Sequence, residues 1–251
     1  MSKKILSIGN SFSQDAQAYF KQIANAGGLE VFSVNLYIGG CSLQTHWLNA
    51  REELSLYDLE QNGKSTGMKI SIREALESEQ WDIVTLQQAS GFSGIWESYL
   101  PDLTELSNYV RQYAPKAEQV VHETWAYETD STHEQFAWYE KDQLRMYRAL
   151  KEAYQKAAGL LSARIIPSGD CIQALRQTKE FDYADGGRSL CRDGFHMDYL
   201  YGRYAVGAAW YEKLLGGDIT KNPFLPVYEG EQADPGLIRL IQTVVHEICF
   251  G

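Results

Sequence analysis

The chain has 251 residues, 44% of them apolar and 22% charged, with 6 prolines and 21 glycines. A chain of this size buries roughly 70–75% of its unfolded surface, so its core needs neither disulfides nor a structural metal, and the composition is neither collagenous nor disordered. Lys and Arg total 23 against 33 Asp and Glu, a formal charge of −10, which argues against phosphate backbones and anionic lipid as partners and leaves a small-molecule or glycan substrate.

Ile5-Leu6-Ser7-Ile8 reads as a buried strand, ended by Gly9-Asn10. Helical spacing follows over 13–26 (Ala16, Ala18, Phe20, Ile23, Ala24) and stops at Gly27-Gly28. Val31 to Ile38 is a second strand, closed by Gly39-Gly40. Asn62-Gly63, between Leu56-Tyr57-Asp58-Leu59 and Met68-Lys69-Ile70, predicts a small hairpin insertion near 56–70. Trp81 to Leu86 is a third strand, with a helical stretch over 99–113 behind it. Ala117 to His122 is a fourth, followed by helical spacing over 133–158. Ala163 to Ile166 is a fifth, halted at Pro167, and helices over 198–215 and 235–249 close the chain.

Strands alternating with helices of ten or more residues imply βαβ units and a parallel sheet covered on both faces. The predicted architecture is a three-layer α/β/α sandwich around a central five-stranded parallel sheet. No linker, repeat or low-complexity tract interrupts residues 1–251, which are expected to form a single domain. The hairpin and the terminal helix are extras available to cover a crevice. Cys41, Cys171, Cys191 and Cys249 form no C-x-x-C pair, so neither a zinc site nor a disulfide framework is signalled. The apolar run Ile5 to Ile8 is too short for a signal peptide, and no stretch approaches the ~18 apolar residues of a membrane span. A cytoplasmic location is the expectation. No cofactor is expected either: Gly9-Asn10-Ser11 lacks the Lys-Ser/Thr ending of a phosphate loop, and no dinucleotide fingerprint occurs.

In open parallel sheets, ligands bind beyond the carboxyl ends of the strands. The residues leaving those ends are Gly9-Asn10-Ser11-Phe12-Ser13, Gly39-Gly40-Cys41-Ser42, Gln87-Gln88-Ala89-Ser90-Gly91 and His122-Glu123-Thr124-Trp125, with Asp193-Gly194-Phe195-His196 ahead of a late helix. A hydroxyl, flexible backbone amides, a carboxamide, and a histidine with a carboxylate three residues earlier match hydrolysis through an acyl-enzyme.

This order resembles the SGNH, or GDSL-like, hydrolase superfamily. Gly9-Asn10-Ser11 stands for its Gly-Asp-Ser block, Gly40 or Gly39 for its second-strand glycine, and Asp193 to His196 for its Asp-x-x-His block. The usual Gly-x-Asn-Asp is missing at Ala89 to Gly91, and Gln88 stands where related carbohydrate acetylesterases carry a glutamine. The whole chain is similar to an uncharacterised bacterial branch of the superfamily, in its Gly-Asn-Ser-Phe-Ser start, its His122 to Tyr127 segment and its run from Arg192 to Tyr211. The resemblance implies a flavodoxin-like sheet and a serine esterase.

In that reading Ser11 is the nucleophile, although Ser11-Phe12-Ser13-Gln14 also reads as a capping box with Ser11 as a mere N-cap. Ser13 is expected to be buried in the first helical turn. His196 would carry the proton, since an unperturbed imidazole titrates near 6.5. Asp193 would hold its tautomer, with Asp198 as a rival carboxylate. Ser11, Gly40 and the Gln88 amide would form the oxyanion hole, with Gly39 as the competing backbone donor and Gln87, on the opposite side of the pleat, the weaker carboxamide. Asn10, His122 and Trp125 are expected to contact substrate, Trp125 because it directly follows a strand. The expected substrate is an O-acetyl or other short acyl ester on a carbohydrate. The alternatives are a lipid or thioester acyl hydrolase, or a non-catalytic carbohydrate-binding or scaffold domain.

Overall fold

The structure is a computed structural model and describes residues 2–250. It opens with β1 (Lys3–Gly9), α1 (Ser11–Gln17), α2 (Phe20–Ala26), β2 (Val31–Tyr37) and α3 (Leu43–Arg51). A hairpin of β3 (Tyr57–Gln61) and β4 (Lys64–Ile70) leads to α4 (Ile72–Glu77), β5 (Ile83–Leu86) and α5 (Asp102–Tyr113). Then come β6 (Glu118–His122), α6 (Gln143–Leu161), β7 (Arg164–Ile166) and α7 (Ser168–Leu175). The chain ends with α8 (Tyr201–Trp210), a π-helical turn over Tyr211–Leu215, a small ladder of β8 (Val227–Tyr228) and β9 (Glu231–Gln232), and α9 (Pro235–Phe250).

The main sheet runs β4-β3-β2-β1-β5-β6-β7. β2, β1, β5, β6 and β7 are mutually parallel, which is the five-stranded parallel sheet expected from the alternating pattern. From β1 the chain steps outward to β2 and then returns to β5 on the other side. That reversal opens a crevice at the carboxyl ends of the central strands. The predicted hairpin is present, but it does not cover the crevice. It pairs antiparallel with β2 and widens the sheet to seven strands, leaving β4 exposed along nearly all its length.

The central strands carry apolar side chains on both faces because helices cover both. Ile5, Leu6 and Ile8 of β1 and Ile83, Val84 and Leu86 of β5 are all buried. α1, α2, α7, α8 and α9 form one helical group, and α3, α4, α5 and α6 the other. α8 carries Gly202, Ala205, Gly207, Ala208 and Ala209, and a methyl group on Gly207 would lie 3.3 Å from the Ala16 carbonyl oxygen of α1. This close approach packs α8 against the end of α1, while the loop that leads into α8 reaches back to Ser11 at the start of that helix.

The single helix expected over 13–26 is two helices meeting at Ala18 and Tyr19. Ala16, Phe20, Ile23 and Ala24 stay buried across the break, so the apolar period cannot reveal it. The short helices α3, α4 and α7 were not foreseen. α4 is opened by a reciprocal cap: Ser71 Oγ accepts from the Glu74 N–H (3.2 Å), and the Glu74 carboxylate accepts from the Ser71 N–H (2.8 Å). Among the described residues, no helix is long and apolar enough to cross a membrane.

Candidate active site

β1 ends in a turn that only glycine fits. A Cβ on Gly9 would sit 2.0 Å from Ser13 Oγ, a buried atom already held by hydrogen bonds. Asn10 then caps α1, its Oδ1 accepting from the Phe12 N–H (3.0 Å) while its own N–H donates to Ser13 Oγ (3.0 Å). The cap is therefore Asn10 with Ser13 three residues on, one residue earlier than the Ser11–Gln14 register. The shift leaves the Ser11 hydroxyl free of capping duty, in a residue that is 9% exposed and lines the crevice.

His196 approaches from the loop before α8. Its Nδ1–H donates to Asp193 Oδ2 (2.7 Å), so Nε2 is the bare nitrogen and accepts the Ser11 hydroxyl proton (2.9 Å). Asp193 also binds its own turn, Oδ1 accepting from the N–H of His196 (2.8 Å) and of Phe195 (3.2 Å). Partial burial alone would raise the Asp193 carboxyl. The hydrogen bonds from the His196 ring and backbone outweigh it and hold the group below the ordinary aspartate value.

Asp15 locks this loop to the nucleophile helix, a role the sequence reading missed. It is fully buried one helical turn beyond Ser11. Its carboxylate accepts from the Met197 N–H (2.9 Å), from Arg192 (2.9 and 3.1 Å) and from Arg203 Nε (2.8 Å). Arg192 and Met197 flank Asp193 and His196 in the chain, so one side chain fixes both ends of the His196 turn against α1. The only sequence signal was the spacing, a carboxylate one turn after the serine and an arginine beside Asp193. The rival Asp198 instead caps α8, accepting from the Leu200 and Tyr201 N–H groups (both 3.0 Å).

Behind Ser11, a string of buried polar groups crosses the sheet. Glu60 accepts from Asn35 (2.8 Å), Asn35 Oδ1 accepts from Ser13 Oγ (2.8 Å), and Ser13 holds Asn10. Asn10 Oδ1 accepts from Gln87 Nε2 (2.8 Å), and Gln87 Oε1 accepts from His122 Nδ1 (2.8 Å). The His122 proton thus sits on Nδ1, and Nε2 accepts from Ser168 Oγ (3.2 Å). Burial pushes the His122 pKa down to about 3.

These bonds correct four expectations. His122 is fully buried and does not line the crevice. Asn10 is 1% exposed, its Oδ1 shared between Phe12 and Gln87 and its Nδ2 donating to the Cys41 carbonyl (3.2 Å), so it shapes the turn and is not a substrate contact. Trp125 is also fully buried: it stacks on Phe12 at 4.2 Å and its Nε1–H donates to the Phe195 carbonyl (2.7 Å). Gln88 is not aimed at an oxyanion. Its amide donates to the Ser98 carbonyl (2.9 Å) and hydroxyl (3.1 Å), and its Oε1 accepts from the N–H groups of Leu43 (2.9 Å) and Ala89 (2.8 Å).

The crevice itself encloses about 300 Å³ around Ser11 and His196. Gly39, Gly40 and Ser90 border it, with Phe92, His133 and Phe195 as its larger walls. Gly40 has φ +63, a left-handed conformation that disfavours other residues although its Cβ would meet no atom within 4 Å. Among the described residues, no internal acceptor takes the N–H of Ser11 or of Gly40. His133, which the sequence reading passed over, packs edge-on to Phe195 at 4.8 Å. Its Nδ1 accepts from the Gln135 N–H (3.2 Å), so in the neutral ring Nε2 carries the proton.

Donor atoms that could hold a metal ion come within 4.8 Å of one another at Glu212, Asp218 and His246, beyond α8 and on α9. This group shares no residue with the crevice, and Glu212 Oε1 already accepts from His246 Nδ1 and from the Ile219 N–H (both 2.9 Å). All four cysteines are free and buried.

The family described as a domain of unknown function, DUF4886, matches residues 4–234. The crystal structure of a DUF4886 family protein from Bacteroides uniformis is similar over 100% of this chain and 96% of that one, at 36% identity and a TM-score of 0.90. A proposed SGNH hydrolase from Slackia heliotrinireducens aligns with 85% of this chain and 100% of its own, at 19% identity and a TM-score of 0.59. A catalytic mutant of Axe2, an acetylxylan esterase from Geobacillus stearothermophilus, aligns with 84% of this chain and 94% of its own, at 13% identity and a TM-score of 0.53. These last two likenesses are likenesses of fold. No curated protein matches the chain.

Proposed function

The chain belongs to the DUF4886 family, and we propose that it is a serine esterase with an SGNH-type site, acting through an acyl-enzyme on Ser11. The observation that carries the reading is the unbroken sequence of hydrogen bonds from Ser11 Oγ to His196 (2.9 Å) and from His196 to Asp193 (2.7 Å) at the rim of one crevice. Ser11 Oγ attacks the ester carbonyl carbon as its proton passes to His196 Nε2. Asp193 steadies the imidazolium that forms. The carbonyl oxygen, now an oxyanion, takes hydrogen bonds from the N–H groups of Ser11 and Gly40. The C–O bond to the leaving alcohol breaks as His196 returns the proton to it. Water then attacks the acyl-enzyme, giving its proton to His196, and the acid departs as Ser11 regains its hydrogen.

Gln88 has no part in this scheme. His133 lines the crevice instead, with Nε2–H as its free ring donor. A crevice of about 300 Å³ walled by Phe92, Phe195 and His133 suits a short acyl group such as acetyl. A fluorophosphonate probe is expected to label the wild type and not Ser11→Ala. Equal labelling of both would remove Ser11 as nucleophile. Within the ester class, a p-nitrophenyl acetate rate above that of the octanoate supports the short acyl group; the reverse order would favour a lipid-like chain.

A further inference from the structure

Beside the crevice lies a second, smaller pocket of about 140 Å³, and Phe92 lines both. Its walls come from two segments: Ser42 and Gln44 at the start of α3, and Glu97, Ser98, Leu100 and Asp102 ahead of and within α5. Gln88 is the brace beneath them. Its Oε1 holds the Leu43 N–H of one wall (2.9 Å) and its Nε2 holds the Ser98 carbonyl of the other (2.9 Å), so the pocket is preformed. The chemistry of the two cavities differs. The crevice at Ser11 sets Phe92, His133 and Phe195 beside the polar Tyr37, Ser90 and Gln135 but holds no carboxylate, and Phe92 is backed by the half-exposed Trp138 at 5.2 Å. The second pocket presents the Ser42 hydroxyl, the Gln44 carboxamide and the Glu97 and Asp102 carboxylates beside the Gln88 and Ser98 groups already bonded to each other, and no Lys or Arg lines it.

We infer that this second pocket receives the alcohol portion of the ester, and that it selects a polyhydroxylated sugar unit that is neutral or bears an ammonium group. The inference rests on the reading of the crevice as an ester-hydrolysing site. An ester bound with its carbonyl at Ser11 must place acyl and alcohol groups in different directions, and of the two cavities only the second is lined by carboxylates. Glu97 and Asp102 accept hydrogen bonds from sugar hydroxyls, while Ser42 and Gln44 can both donate and accept. The face of Phe92 offers a stacking surface to the ring at the junction. With two carboxylates and no cation, the pocket repels a carboxylated or phosphorylated sugar.

Calorimetric titration of Ser11→Ala with xylotriose, cellotriose, a glucosamine trimer and trigalacturonate tests this without turnover. At least one neutral or ammonium-bearing trimer should bind more than about tenfold tighter than trigalacturonate. Adding Glu97→Gln and Asp102→Asn should narrow that gap at least threefold, and Gln44→Trp, which fills the mouth, should abolish binding even if the double variant fails to fold. Absence of saccharide binding, equal binding of trigalacturonate, or a gap that these substitutions leave in place would overturn the inference. Loss of fluorophosphonate labelling with saccharide binding intact would instead bring down the esterase reading and leave the sugar pocket standing.

Discussion

Two histidines stand at the carboxyl side of the same sheet, and their surroundings divide their work. His122 and His196 each have both ring nitrogens engaged, and each meets a serine hydroxyl, at 3.2 and 2.9 Å respectively. His122 is fully buried, with a neutral carboxamide on its Nδ1. No counter-charge is present to steady an imidazolium, and burial drives the ring toward its neutral form. The His196 side chain is 22% exposed, and its Nδ1 faces the Asp193 carboxylate. A serine–histidine contact therefore identifies a proton shuttle only when an anion and an opening to solvent come with it. Without them the same contact is a strut.

The contrast can be broken most sharply at Asp193. Asp193→Asn removes the charge that separates the two sites and can present an N–H to Nδ1, inverting the tautomer. Its kcat on p-nitrophenyl acetate should fall by 10²-fold or more, toward the ~10⁴-fold loss known for such a change, with little effect on the melting temperature. Asp15→Asn comes next. It leaves Arg192 and Arg203 without their buried partner, a loss of about 3–5 kcal/mol in stability by analogy with other buried pairs. In the folded fraction, kcat should drop about tenfold with KM little changed, because the His196 turn loses its anchor. A full kcat in folded Asp15→Asn would show that the turn positions itself.

His122→Phe sharpens the other side. It leaves Gln87 Oε1 and Ser168 Oγ unpaired in the interior, each costing about 1–3 kcal/mol. The denaturation midpoint should fall while kcat per folded molecule stays within about threefold; a hundredfold loss of kcat would return His122 to the active site. The smallest effect is expected at Glu123, directly after His122. Burial, with the nearby Asp170 charge adding to it, pushes this carboxyl up to about 8. The folded chain then holds a proton that the unfolded chain releases near 4.3, so its contribution to stability diminishes as pH rises from about 4.3 to about 8. Melting temperature against pH should slope downward in that window for the wild type, and Glu123→Gln should flatten it.

The regular part of this molecule was legible because its signals are local. Short β-like apolar runs, ended by glycine after the first two and by Pro167 after the fifth, marked the parallel strands, and Asn62-Gly63 marked the hairpin. The serine and the Asp-x-x-His block were legible as a pattern, and the fold brings Ser11, His196 and Asp193 into hydrogen-bond sequence. What stayed illegible depends on where side chains turn. Gln88 and Trp125 leave strand ends as a site residue would, yet one spends its amide on Ser98 and the other its indole on Phe195. His133 and Asp15 carry no motif. His133 reaches the crevice from a turn more than 60 residues before His196, and Asp15 matters only once α8 brings the loop beside it.

The hairpin at the other end of the sheet has a consequence for the protein's behaviour in a crowded solution. Without it, β2, with the β-prone sequence Val31-Phe32-Ser33-Val34-Asn35-Leu36-Tyr37, would present a free row of amides and carbonyls along an apolar strand. The hairpin moves that open rim to β4, which carries Lys64 and Lys69 and a left-handed Gly67 at φ +74. A lysine-bearing rim interrupted by a left-handed glycine is a poor template for a second chain to add to. A chain lacking residues 56–70 would expose β2, the more apolar strand, as its rim.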